Sequence, residues 1–188
     1  MDTEKLCYAH SPMSWKGVKK MKELLDKLSS YNIFNYLFPG ILFCVISKTL
    51  IGYNLIIDDI VLGVFLYYFI GLTISRMGSI VIEPVMRKTK FIIFAKYSDF
   101  ITASKKDEKI ELLSEVNNMY RTIISLILMI SILYGFSILE SHFPILIKFR
   151  WIILALFLFV LFLLSYRKQT KYIVDRVNRI NEEKEVLQ

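Results

Sequence analysis

The sequence is poor in the residues that build catalytic and metal centres. Two histidines, His10 and His142, and two cysteines, Cys7 and Cys44, are all it has of either in 188 residues. One cysteine sits in a charged leader and the other inside an apolar run, so they predict neither a disulfide framework nor a metal site. The two histidines fall on opposite sides of the membrane in the topology that the charges imply, which excludes joint acid–base work. Glycine is sparse, at seven residues, and no Gly-rich phosphate loop, G-x-S-x-G elbow or H-E-x-x-H helix occurs. An arginine followed four to six residues later by a histidine, the pattern of HEPN ribonucleases, is missing too. These absences predict a protein that is not an enzyme and holds no cofactor. No Gly/Ser linker, repeat or low-complexity segment divides the chain, so residues 1–188 read as a single membrane domain.

What the sequence does have is apolar residues in blocks. It is 55% hydrophobic with a mean hydropathy of +0.48, yet 22% of its residues are charged and the net charge is +7. A soluble domain of that apolarity would distribute its hydrophobic residues periodically; blocks are the mark of membrane spans. A hydrocarbon core of about 30 Å needs roughly 20 helical residues to cross it. Four stretches qualify and predict transmembrane helices at about 33–55, 59–82, 119–140 and 146–166. The first is interrupted by Pro39-Gly40 and Lys48, and a re-entrant hairpin of the first two is the competing reading. No small-residue cleavage pattern follows the first run, so it is expected to stay as an anchor rather than serve as a signal peptide. The fold class expected is all-α: an integral-membrane four-helix bundle with cytoplasmic helical extensions.

Basic residues orient the spans. Six Lys and Arg precede Ile33, nine lie from Arg76 to Arg121 and six follow Tyr166, so 21 of the 24 fall on one side. Positive-inside bias then predicts both termini and the middle loop in the cytoplasm. Trp151 and Tyr166 bracket the fourth span as interfacial anchors. Lys48 is expected to snorkel outward toward Asp58 or Asp59.

The cytoplasmic parts carry their own patterns. Residues 1–32 contain a basic amphipathic helix with Val18, Met21, Leu25 and Leu28 on one face, suited to an anionic leaflet or to packing on the rest of the protein. In the loop 84–118, "FIIFAKYSDFITAS" is too short and polar to cross, so it lies at the interface or packs on the bundle. A helix from about 105 runs into the third span, with Ser104 as its cap and Asp107 three residues on. In the tail 167–188, Ile173, Val177, Ile180 and Leu187 form a coiled-coil-like seam that docks on the cytoplasmic helices or on a partner.

Polar groups inside or at the ends of spans are the remaining functional signal. Gly71, Ser75 and Ser79 recur at four-residue spacing, and Ser131 and Gly135 repeat the device in the third span; such small-residue ridges predict close helix packing. Arg76, Glu83, Asn117, Asn118 and Arg121 fall at similar depth and predict a polar inner-leaflet cluster, with each charge simply reaching the headgroups as the alternative. The basic loops could meet nucleic acid, but positive-inside bias accounts for the same lysines, so no direct nucleic-acid partner is expected.

"YNIFNYLFPGILF", "GLTISRMGSIVIEP" and "EVNNMYRT", in this order, resemble a group of small bacterial four-span membrane proteins that accompany anti-phage loci such as Kiwa, CBASS, retrons and type VI CRISPR systems. The likeness covers most of the chain. It implies a membrane-resident accessory or effector of antiviral defence that works with a cytosolic protein partner, by homo-oligomerisation and membrane perturbation or sensing. It carries no catalytic residues with it. A structural or small channel or transporter subunit, or a plain anchor for a cytosolic enzyme, are the other classes the sequence allows.

Overall fold

The computed structural model describes residues 30–185. Its regular structure is all helical, with no strand among the described residues. The first helix, α1, covers residues 30–51; α2 is Ile60–Lys88, α3 Tyr97–Ser104, α4 Lys109–His142 and α5 Ile145–Glu185. Four of these (α1, α2, α4 and α5) are long and apolar enough to cross a membrane. The 19 residues of Ile33–Ile51 rise about 28 Å at 1.5 Å each, enough for a hydrocarbon core. The expected amphipathic helix over Val18–Leu28 lies outside the described residues, as does Leu187.

Three π-helical turns interrupt the first two spans: Ile33–Leu37, Ser47–Ile51 and Gly78–Ile82. Two of them end immediately before a proline-bearing turn, with Pro39 and Pro84 at the first or second position of the α-segment that follows. Proline lacks the N–H for an i−4 bond and its ring crowds that carbonyl, and a widened turn relieves both problems without breaking the helix. This revises the expected ends. The helix itself does not stop at Glu83-Pro84 but continues to Lys88. The remaining π turn, Ser47–Ile51, ends on Gly52 at φ +86°, a left-handed cap that glycine adopts without strain.

Helices α1 and α2 run antiparallel and nearly touch. A Cβ on Gly71 would stand 1.6 Å from the Tyr36 carbonyl oxygen, and one on Gly40 1.8 Å from that of Tyr67. The Pro39-Gly40 interruption is therefore half of a close backbone-to-backbone crossing. Asp59 caps α2 by accepting from the Leu62 amide at 2.9 Å, and Lys48 is exposed with no ion pair to either aspartate among the described residues. Between the two ends of the spans, Phe43, Ile74 and Leu126 form an apolar core, with Leu42, Ile70 and Met129 packed round it.

The extramembrane parts differ from expectation in detail. Ser104 does not cap α4; it ends α3, its hydroxyl donating to the Ile101 carbonyl, and the Asp107 carboxylate accepts instead from the Lys109 amide at 3.0 Å. Asp107 lies close enough to the first free amides of α4, whereas Ser104 lies beyond an intervening turn. Phe91 and Ile93 are exposed and do not pack on the helices. At 41 residues α5 is about 62 Å long, twice a hydrocarbon core, so it carries one continuous helix far beyond its span. Tyr97 of α3 stacks on Tyr172 at 6.0 Å and Arg179 donates to Thr102, fixing α3 against that extension. Ile173, Val177 and Ile180 remain exposed, so the seam docks on no other described helix.

Candidate functional site

On α2, residues 71, 75, 79 and 83 follow one another at intervals of four, which puts them in line on one face. The ridge of small residues thus leads straight to Glu83. Gly71 meets α1, Ser75 and Ser79 are buried, and Glu83 is buried at 9% exposure. The facing residues of α4 are Asn118, Arg121, Thr122 and Ser125, and the Ser125 hydroxyl donates to the Ile74 carbonyl at 2.7 Å. A Cβ on Gly78 would meet Arg121 and Ser125 at 3.2–3.3 Å, so the π turn at Gly78–Ile82 lies directly against α4.

Two polar layers result. In the first, Asn35 of α1 donates to the Tyr31 hydroxyl at 3.0 Å and, at the longer distance of 3.4 Å, to Ser75. Thr122 donates to the other end of the Asn35 amide at 2.7 Å. An amide buried at 1% exposure has both its oxygen and its nitrogen engaged, which is the condition for placing it inside an apolar bundle. Tyr31, just before the first span, also accepts from Asn118 at 3.5 Å. Burial, and then the neighbouring Tyr36, push its phenol up to about 12, so it stays neutral.

The second layer is ionic. Glu83 Oε2 accepts from Arg121 Nη1 at 3.0 Å and from Lys168 Nζ of α5 at 2.9 Å, while Oε1 accepts from Arg87 at 3.3 Å. Lys168 also donates to the Ser79 carbonyl at 2.7 Å and the Ser79 hydroxyl at 2.9 Å. Its three ammonium donors therefore meet three acceptors. One carboxylate ties α2, α4 and α5 together. Beside this node lies a polar cavity of about 310 Å³, with Tyr31, Tyr36, Arg76, Glu83, Arg121 and Tyr172 on its wall.

Of the five residues expected to cluster, Arg76, Glu83, Asn118 and Arg121 come together round this cavity. Asn117 does not: it is exposed on the other face of α4, because consecutive helical residues point about 100° apart and Asn118 takes the inward position. Gly71, Ser75 and Ser79 pack as the ridge predicts. Ser131 and Gly135 do not pack within the chain. Ser131 is exposed and bonds its own Ile127 carbonyl, and nothing lies within 4 Å of a Cβ built on Gly135. The residues that sequence reasoning missed are Lys168, Asn35 and Thr122. Lys168 belongs to the basic tail that positive-inside bias explains, and no local signal sets it apart.

A separate polar contact lies at the opposite end of the spans. Tyr53 donates to Glu140, a carboxylate at 7% exposure whose second oxygen is buried without a partner among the described residues. The apolar core of Phe43, Ile74 and Leu126 stands between the two polar ends. No family model matches the chain, nor does any curated protein or solved structure.

Proposed function

We propose that this is an integral-membrane accessory or effector protein of a bacterial antiviral defence system, a four-helix bundle of the inner membrane with both termini in the cytoplasm. It acts by assembling and perturbing or sensing the membrane when a cytosolic partner engages it. The observation that carries this reading is Lys168. It is the one ion-pair link, among the described residues, between the spans and an α5 extension that bears an exposed apolar seam. A partner helix docked on Ile173, Val177 and Ile180 pulls on α5 about one and a half to three and a half turns beyond Lys168, and a displaced ammonium leaves Glu83 and Arg121 to rearrange. The seam has the three-to-four spacing that a partner helix reads.

Assembly of copies fits the same architecture. The most apolar window of α5 is only 6% buried within the chain and that of α4 17%, so both offer wide faces to lipid or to a neighbour. Conduction through one copy is disfavoured by the apolar core that separates the two polar ends. The test is phage infection of cells carrying the native locus, followed with a membrane-potential dye. Val177→Asp with Ile180→Asp, at positions exposed in the chain, should abolish protection and any depolarisation while membrane insertion persists. Full protection by that double variant would overturn the partner-coupled reading.

A further inference from the structure

The charges round the cavity do not balance. Among the described residues that line it, Arg76 and Arg121 face one carboxylate, Glu83, which also accepts from Lys168 and Arg87 outside the lining. Arg76 lines the cavity and makes no ion pair or hydrogen bond among the described residues. Arg121 lines it too; Nη1 holds Glu83, and its buried Nε has no partner among the described residues. Guanidinium donors left unmatched in a partly buried site are costly unless an anion completes them. Tyr31, Tyr36 and Tyr172 add phenol groups to the same wall. Glu83 does not oppose an incoming anion strongly, because its own charge is spent on the three cations that hold it.

We propose that this cavity binds a phosphate group, gripped by the Arg76 guanidinium with the charge of Arg121 beside it. Planar guanidinium forks match tetrahedral oxyanions better than they match a halide, since two N–H groups engage two oxygens at once. The volume favours the same class. About 310 Å³ is the space of roughly ten waters at about 30 Å³ each and lies at the small end of ligand pockets, which fits a phosphate with a small ester substituent. The site lies at the basic end of the spans, where the phosphate of a phospholipid headgroup and a free phosphate are both within reach. The inference stands on the cavity alone and holds whether or not the protein serves defence.

The test uses the full-length protein in a maltoside detergent, which contains no phosphate. In one arm, millimolar inorganic phosphate is titrated against the melting temperature, with chloride at matched ionic strength as the control. In the other, native mass spectrometry follows retention of added phosphatidylglycerol. A melting temperature raised by phosphate and not by chloride identifies a free-phosphate site; a phosphatidylglycerol adduct without that shift identifies a headgroup site. Either supports the proposal if Arg76→Gln weakens it by about tenfold or more, the loss expected for a charged hydrogen bond. Arg76→Lys, which keeps the charge and loses the fork, should retain part of the binding and serves where R76Q does not fold. The proposal is overturned if wild type binds neither probe, or if R76Q and R76K both bind like wild type.

Discussion

At the scale of single residues, Glu83 is the one acid that three cations share, and exposure ranks what each partner contributes. Arg87 is 60% exposed, while Arg121 and Lys168 are 21% and 23% exposed. A solvent-exposed pair of the Arg87 kind contributes below about 1 kcal/mol. Removing one member of a buried pair leaves an uncompensated charge and costs about 3–5 kcal/mol. Thermal unfolding in detergent should therefore show Glu83→Gln as severely destabilised and Arg87→Ala as close to wild type, with Lys168→Met between them. Equal losses for Glu83→Gln and Arg87→Ala would mean that the node is a solvated surface contact. The sequence marked Glu83 as an acid among apolar neighbours on a basic side. It could not name Lys168 as partner, since 85 residues separate them and nothing local distinguishes that lysine from its neighbours.

At the scale of elements, the α1–α2 crossing and the far end of α4 make opposite demands on glycine. Gly71→Ala drives a methyl group into the Tyr36 carbonyl and Gly40→Ala one into the Tyr67 carbonyl, and backbone on both sides leaves no flexible group to yield. Both variants should lose the folded peak on fluorescence-detected size exclusion. Gly135→Ala meets nothing within 4 Å and should be neutral, or stabilising by up to about 1 kcal/mol through helix propensity. Loss of assembly in Gly135→Ala, without loss of fold, would instead place that face between copies. Both ridges look alike in sequence as small residues four apart. Only packing separates them, because a small residue allows close approach without requiring it.

At the scale of the whole molecule, an apolar middle with a polar node at one end predicts a bundle that opens from the node. Cys44 reports on this, being buried at 1% exposure in the middle of α1. In a Cys7→Ser background it is the sole thiol, and a membrane-permeant maleimide should label it slowly in the native protein and quickly after denaturation. Glu83→Gln should accelerate labelling under native conditions, since loss of the carboxylate removes the ion pairs that tie α5 and α4 to α2. An unchanged rate would show that the apolar core alone keeps the spans together.

The sequence by itself determined what depends on solvation. Blocks of about 20 apolar residues need hydrocarbon around them, so four helices long and apolar enough to cross a membrane were legible. The all-helical class followed, because a backbone in lipid must satisfy its own hydrogen bonds. The tertiary structure alone decided what depends on pairing between distant segments. It put Lys168 on Glu83, closed Asn35 on Thr122, turned Asn117 outward and let the helix run through Pro84 on a widened turn. Solvation acts on each residue separately and can be read along the chain. A salt bridge or an amide's partner is fixed by the relative rotation and height of two helices, and no local pattern in this sequence encodes either.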